Sequence, residues 1–88
     1  MTNHPDPIDD AELIETVELL AENSDRRDLA NAGVPAKEVA AWLGYSSDAV
    51  NSRLSELAAD GDLAKCYGID PRTGQQRPSY LPADHPDA

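Results

Sequence analysis

The 88-residue chain carries 17 acidic against 7 basic side chains, a net charge of −10, with 40% hydrophobic residues and no phenylalanine. That length bounds it to one small domain with a mostly aliphatic core, and no run approaches the roughly 18 apolar residues of a membrane span. A single cysteine, Cys66, excludes an internal disulfide and a cysteine-rich zinc site, and the two histidines lie near opposite ends.

Residues 1–8 contain two prolines and no apolar cluster, which predicts a disordered leader. No basic stretch is followed by an apolar run as in a secretory signal, so a cytoplasmic protein is expected. Asp9 or Asp10 can cap a helix, and Glu12 stands in capping-box spacing from Asp9. Leu13, Ile14, Val17, Leu20 and Ala21 form an apolar stripe opposite Glu15, Glu18 and Glu22. That spacing predicts a first helix from about Asp10 to Glu22.

The connection Asn23–Val34 is long; Ser24 can cap a short turn ending at Gly33, with Leu29 as its core anchor. Pro35 suits the first position of a second helix running to Leu43, with Val39, Ala40 and Leu43 on one face. Trp42 is expected at the core or its rim. Gly44 sits at a corner where positive φ reverses the chain. Ser46 is a natural N-cap for a third helix to about Ala59, whose Val50, Leu54 and Leu57 share a face. Gly61 suits the left-handed position that ends it.

Leu63–Ile69 and Gln75–Leu81 flank Asp70-Pro71-Arg72-Thr73-Gly74, strong turn chemistry, and predict a two-stranded hairpin with a basic tip. Pro78 restricts the return strand to having at least one unpaired side. Tyr45, Tyr67 and Tyr80 are expected at the core edge, and Cys66 is read as an unreactive strand residue rather than a redox sensor. The domain then spans 9–83, and 84–88 is a disordered tail. The fold class is mainly α with a small β-hairpin, an α+β arrangement.

The order helix, helix, turn, helix, hairpin resembles the winged helix-turn-helix superfamily from about Asp9 to Ala83. The segment KEVAAWLGYSSDAVNSRLSELAADGDL is similar to MarR-, ArsR- and related archaeal transcription regulators. The resemblance is carried by Val39-Ala40, Gly44, Ser46, Val50, Leu54, Leu57, Gly61 and Leu63, with Arg77-Pro78-Ser79-Tyr80-Leu81 like the wing's return strand. It implies a three-helix core and a two-stranded wing, binding double-stranded DNA with helix 46–59 in the major groove. Two departures stand out: Pro35 replaces the usual Ser or Thr before the second helix, and the recognition helix is poor in basic residues.

Charge is segregated. Residues 1–25 hold eight acids and no Lys or Arg, whereas all seven basic residues lie between Arg26 and Arg77. The acid excess, only two lysines and many aspartates and alanines resemble the proteome style of halophilic archaea. In molar salt the Debye length shrinks to about 3 Å, so an acidic surface repels DNA far less.

The candidate DNA contacts follow from helix geometry and the hairpin. Opposite Val50, Leu54 and Leu57 lie Ser52, Asp48 and Ser55, with Asn51 on the flank and Ser46 and Ser47 at the helix start. Asn51 can pair with an adenine edge, serines with either base, and Asp48 can accept from a cytosine amine. Each serine serves as well as a solvated surface residue. Arg53 can reach a phosphate or pair with a neighbouring acid. Arg72 and Arg77, with Gln75 and Gln76, are the wing's contacts to backbone or minor groove, and Lys37 can touch backbone. The first helix offers a buttress or a homodimer seam.

No Gly-rich phosphate loop or clustered carboxylates appear, so no catalytic residues, metal or cofactor are expected. The expected function is a small DNA-binding transcriptional regulator. The rival expectation is a winged-helix protein-interaction module that offers its acidic surface to a basic partner.

Overall fold

The computed structural model describes residues 8–30 and 32–88; of the leader expected over residues 1–8, residues 1–7 lie outside them, and Ile8 is half-buried against the core. Three helices, α1 (Asp10–Ala21), α2 (Ala36–Leu43) and α3 (Ser47–Ala59), precede an antiparallel ribbon of β1 (Leu63–Ile69) and β2 (Gln76–Pro82). The architecture is α+β.

Helix α1 starts where Asp9 accepts a hydrogen bond from the Ala11 amide at 3.0 Å. Glu12 does not complete a capping box. Its carboxylate accepts instead from the Tyr45 hydroxyl at 3.1 Å, tying α1 to the corner between α2 and α3. Leu13, Val17, Leu20 and Ala21 are buried, as is Thr16, whose hydroxyl donates to the Glu12 carbonyl at 2.8 Å and so leaves no orphaned polar group.

Pro35 is the N-cap of α2 rather than its first residue, and it supplies no side-chain cap. Gly44 takes φ 82°, and the amides of Gly44 and Tyr45 both donate to the Ala40 carbonyl at 2.8 and 3.1 Å, which closes the corner. Ser46 then caps α3 through the Ala49 amide at 3.2 Å. At the far end Gly61 has φ 87°, while the Gly61 and Asp62 amides donate to Ala58 and Leu57. This double bond pattern satisfies carbonyls that the last helical turn would otherwise leave open.

In the ribbon, Leu63 faces Pro82 and Ile69 faces Gln76. The Tyr80 amide and carbonyl bond outward to Val34, at 2.9 and 2.8 Å. Pro78, two residues earlier, shares that orientation, so its missing N–H falls on the outer edge where the ladder needs no donor. The loop from Arg27 to Val34 is tied to both strands, through isolated bridges of Leu29 with Ile69 and Val34 with Tyr80. Gly33 and Gly68 make this approach possible. A Cβ on Gly33 would lie 2.2 Å from the Tyr80 carbonyl oxygen, and one on Gly68 would lie 2.3 Å from the Ala32 Cβ.

The core is aliphatic apart from Tyr80: Leu13, Val17, Val34, Val39, Val50, Leu54 and Leu81 are fully buried around it. Three expectations are corrected. Leu29 is 52% exposed, because its backbone is drawn to the edge of β1 and Ala32 and Val34 fill the core instead. Trp42 is 53% exposed, since it lies about 110° around α2 from the centre of the Ala36, Val39, Ala40 and Leu43 face. Tyr67 is 59% exposed on the ribbon and packs beneath Lys65, whose Nζ stands 5.8 Å from the ring centre. The 84–88 segment, read as a disordered tail, makes turns closed by the His85 and Ala88 amides, and its Asp87 pairs with Arg27 at 3.0 Å.

Ala30 holds φ 71°, a left-handed conformation that strains any Cβ. Ala30→Gly should therefore raise stability by about 0.5 kcal/mol, strain relief exceeding the added unfolded-state entropy. Gly33→Ala should cost about 2 kcal/mol or more, through the clash with Tyr80. Urea midpoints of the two variants check both signs.

Candidate nucleic-acid interface

The polar side of α3 is open. Ser47, Asp48, Asn51, Ser52 and Glu56 are exposed because Val50, Leu54 and Leu57 hold the opposite side in the core. Two of the expected contact residues have internal roles. Ser46 holds the cap, and Ser55 is half-buried with its hydroxyl 2.9 Å from that of Tyr80. The Tyr80 hydroxyl also donates to Asn51 Oδ1 at 3.5 Å, so the ribbon abuts one flank of the helix.

The arginines divide into engaged and available. Arg53 reaches both Asp10 oxygens, at 2.5 and 2.6 Å, and Glu56 at 3.1 Å. These bonds to Asp10 first, and its charge second, hold the guanidinium above its ordinary pKa. Of the two alternatives for Arg53, pairing with acids is the arrangement present. Arg77 donates through Nε and Nη2 to the two oxygens of Asp28, at 2.8 and 2.7 Å, and its Nη1 lies 3.3 Å from Asp70. The Asp28 side chain is only 2% exposed. Arg77 is therefore a clamp between the 27–34 loop and β2, which corrects its reading as a free wing contact. Nothing local in the sequence signals Asp28, which lies 49 residues from its partner.

Arg72, Gln75 and Gln76 are exposed at the hairpin tip, and Lys37 is exposed on the first turn of α2. Among the described residues neither Lys37 nor Arg72 forms an ion pair. The tip is shaped by Asp70, whose carboxylate accepts from the Arg72 amide at 2.9 Å, and by Gly74 at φ 75°. That backbone bond is the main reason the Asp70 carboxyl lies below its ordinary pKa, with the Arg77 charge adding to it.

Two grooves adjoin this region. One, of about 270 Å³, runs between the starts of α2 and α3 and β2, lined by Lys37, Ser47, Asp48, Asn51, Arg77 and Pro78 among others. The other, of about 360 Å³, lies between the 25–28 loop, α2 and the hairpin tip. They share Lys37 and Arg77. No group of three or more His, Cys, Asp or Glu side chains is placed to hold a metal ion among the described residues. Cys66 is half-buried on β1, and burial pushes its thiol pKa up, with Arg27 opposing.

Three outcomes follow from these placements. Arg77→Met leaves Asp28 buried without a cation and should cost about 3 kcal/mol in chemical unfolding. Asp70 has its carboxyl pKa lowered by folding, so its stabilising contribution is present above the ordinary carboxylate range and is lost as pH falls through the lowered value. Asp70→Asn should remove that part of the acid-side loss, as read from melting temperature against pH. Cys66, with its thiolate disfavoured, should be alkylated at pH 8 several-fold more slowly than free glutathione.

In comparisons with known proteins, no family model, no curated protein and no solved structure matches this chain.

Proposed function

We propose that this chain is a winged helix-turn-helix protein that binds double-stranded DNA as a small transcriptional regulator, with α3 entering the major groove. The observation that carries the reading is the uncovered polar side of α3, flanked by a ribbon with an exposed arginine at its tip. A major groove about 12 Å wide admits a helix presented in this way. Ser47, Asp48, Asn51 and Ser52 face the base edges in this arrangement. Asn51 offers amide hydrogen bonds to a purine, and Asp48 accepts from a cytosine amine. Lys37 and Arg72 contact the phosphate backbone.

The internal pairing of Arg53 and Arg77 makes the electrostatic share of binding small. With two phosphate contacts per protomer, the slope of log K against log salt is about −2, since each contact contributes about −0.9. Affinity that survives concentrated salt suits the halophilic character read from the composition. The apolar stripe of α1 is buried in the core, so a homodimer seam there has Leu19, 53% exposed, as its apolar contact among the described residues.

The same exposed Leu19, set among Glu15, Glu18 and Glu22, favours one second reading. An acidic helix face with a single apolar anchor suits a basic protein partner.

Selection of duplexes from a random pool in concentrated potassium chloride, followed by titration of the selected site, separates the two. The DNA reading expects a salt slope near −2 that flattens towards zero in Lys37→Ala with Arg72→Ala. Asn51→Ala should cost about 1–3 kcal/mol and relax preference at one base pair. Failure to enrich any duplex, alongside stoichiometric capture of a basic protein lost in Leu19→Asp, would reject it in favour of the interaction module.

A further inference from the structure

Five of the seven basic residues of this strongly acidic chain line a single groove, the one of about 360 Å³ between the 25–28 loop, α2 and the hairpin tip. Three of the five are matched by carboxylates. Arg26 pairs with Glu38 at 3.0 Å, Arg27 with Asp87 at 3.0 Å, and Arg77 with Asp28 and Asp70 at 2.7 and 3.3 Å. Lys37 and Arg72 also line it, on different elements, and no ion pair is formed by either among the described residues.

We propose that this groove binds a single phosphate group, with Lys37 Nζ and the Arg72 guanidinium as its charged ligands. Two cations that line one groove from separate elements suit a dianion better than a lone carboxylate, and a guanidinium matches phosphate oxygens in pairs. Arg77 lines the same groove, fixed by Asp28, and the Asp70 bond to the Arg72 amide sets the backbone from which Arg72 projects. The acids on the lining, Asp25 and Glu38 among them, disfavour a polyphosphate, because every further negative charge would face a carboxylate. The volume is at the small end of ligand pockets and accommodates a phosphate with a modest attached group. The phosphate can belong to a small phosphomonoester or to a nucleic-acid backbone. The inference shares Lys37 and Arg72 with the DNA reading but does not rest on α3, none of whose residues lines this groove.

The test is amide chemical-shift titration of the full chain with inorganic phosphate at constant ionic strength, and separately with a short duplex. Lys37→Ala with Arg72→Ala serves as the control, both side chains being exposed. Phosphate should move the amides of Lys37 and of residues 70–74 saturably, with an apparent Kd of about 1 mM. The double variant should bind about tenfold more weakly or worse. If both probes move those amides, a nucleic-acid backbone can supply the phosphate and the groove stands; if the duplex alone moves them, the single-phosphate site falls. If phosphate moves them while the duplex moves nothing, the groove stands and the DNA reading falls. Unsaturable shifts, or an equal response in the double variant, would overturn the proposal. Silence at the groove with both probes would overturn it too, even if α3 amides respond to the duplex.

Discussion

A carboxylate that is 2% exposed is costly to bury unless a cation comes to it, and Asp28 is met by Arg77 from β2. The two-point pair fastens the 27–34 loop to the ribbon, next to the places where Gly33 and Gly68 let backbone and side chains approach. With that loop in place, Val34 bridges to Tyr80, and Tyr80 in turn fills the core and meets α3 through Ser55. The position of the ribbon beside the helix thus depends on one ion pair and two missing side chains. The same pair decides which cations remain for a ligand.

Consequences for recognition follow from that division. Among the described residues the exposed cations without an ion pair are Lys37 on the first turn of α2, Lys65 on β1 and Arg72 at the hairpin tip, and none of them stands on α3. Arg53 is held by Asp10, so even the one basic residue of α3 faces α1 instead of solvent anions. On the DNA reading proposed above, affinity comes mainly from shape and hydrogen bonding along α3, with a modest charge term. Dilute buffer penalises such a surface through the repulsion of its acids, and concentrated salt removes most of that penalty.

The helices and the ribbon are legible in the sequence because their signals are local. Gly44, Ser46 and Gly61 act within one turn of their positions, and Val50, Leu54 and Leu57 mark a face by spacing alone. The hairpin is legible for the same reason, through the Asp70–Gly74 turn and the tolerance of Pro78 at an outer edge. The candidate site was harder to read. Whether an arginine is available depends on acids that folding brings from 43 and 49 residues away, as for Arg53 and Arg77. Counting charges within the hairpin segment finds only Asp70 and misses Asp28. Leu29, Trp42 and Tyr67 are exposed on related grounds: residue type suggests burial, but bridge pairing and helix phase set the direction.

The proposed DNA reading requires the exposed polar side of α3 to meet the duplex while Arg77 stays locked inside the fold. Titrating isotopically labelled protein with its selected duplex, and following side-chain Nε signals of the arginines together with backbone amides, tests both halves at once. The account predicts perturbation of Ser47, Asp48, Asn51 and Ser52 and of the Arg72 side chain, with the Arg77 Nε signal unmoved. Perturbation confined to α1, or an Arg77 signal that shifts with the duplex while α3 stays silent, would contradict it.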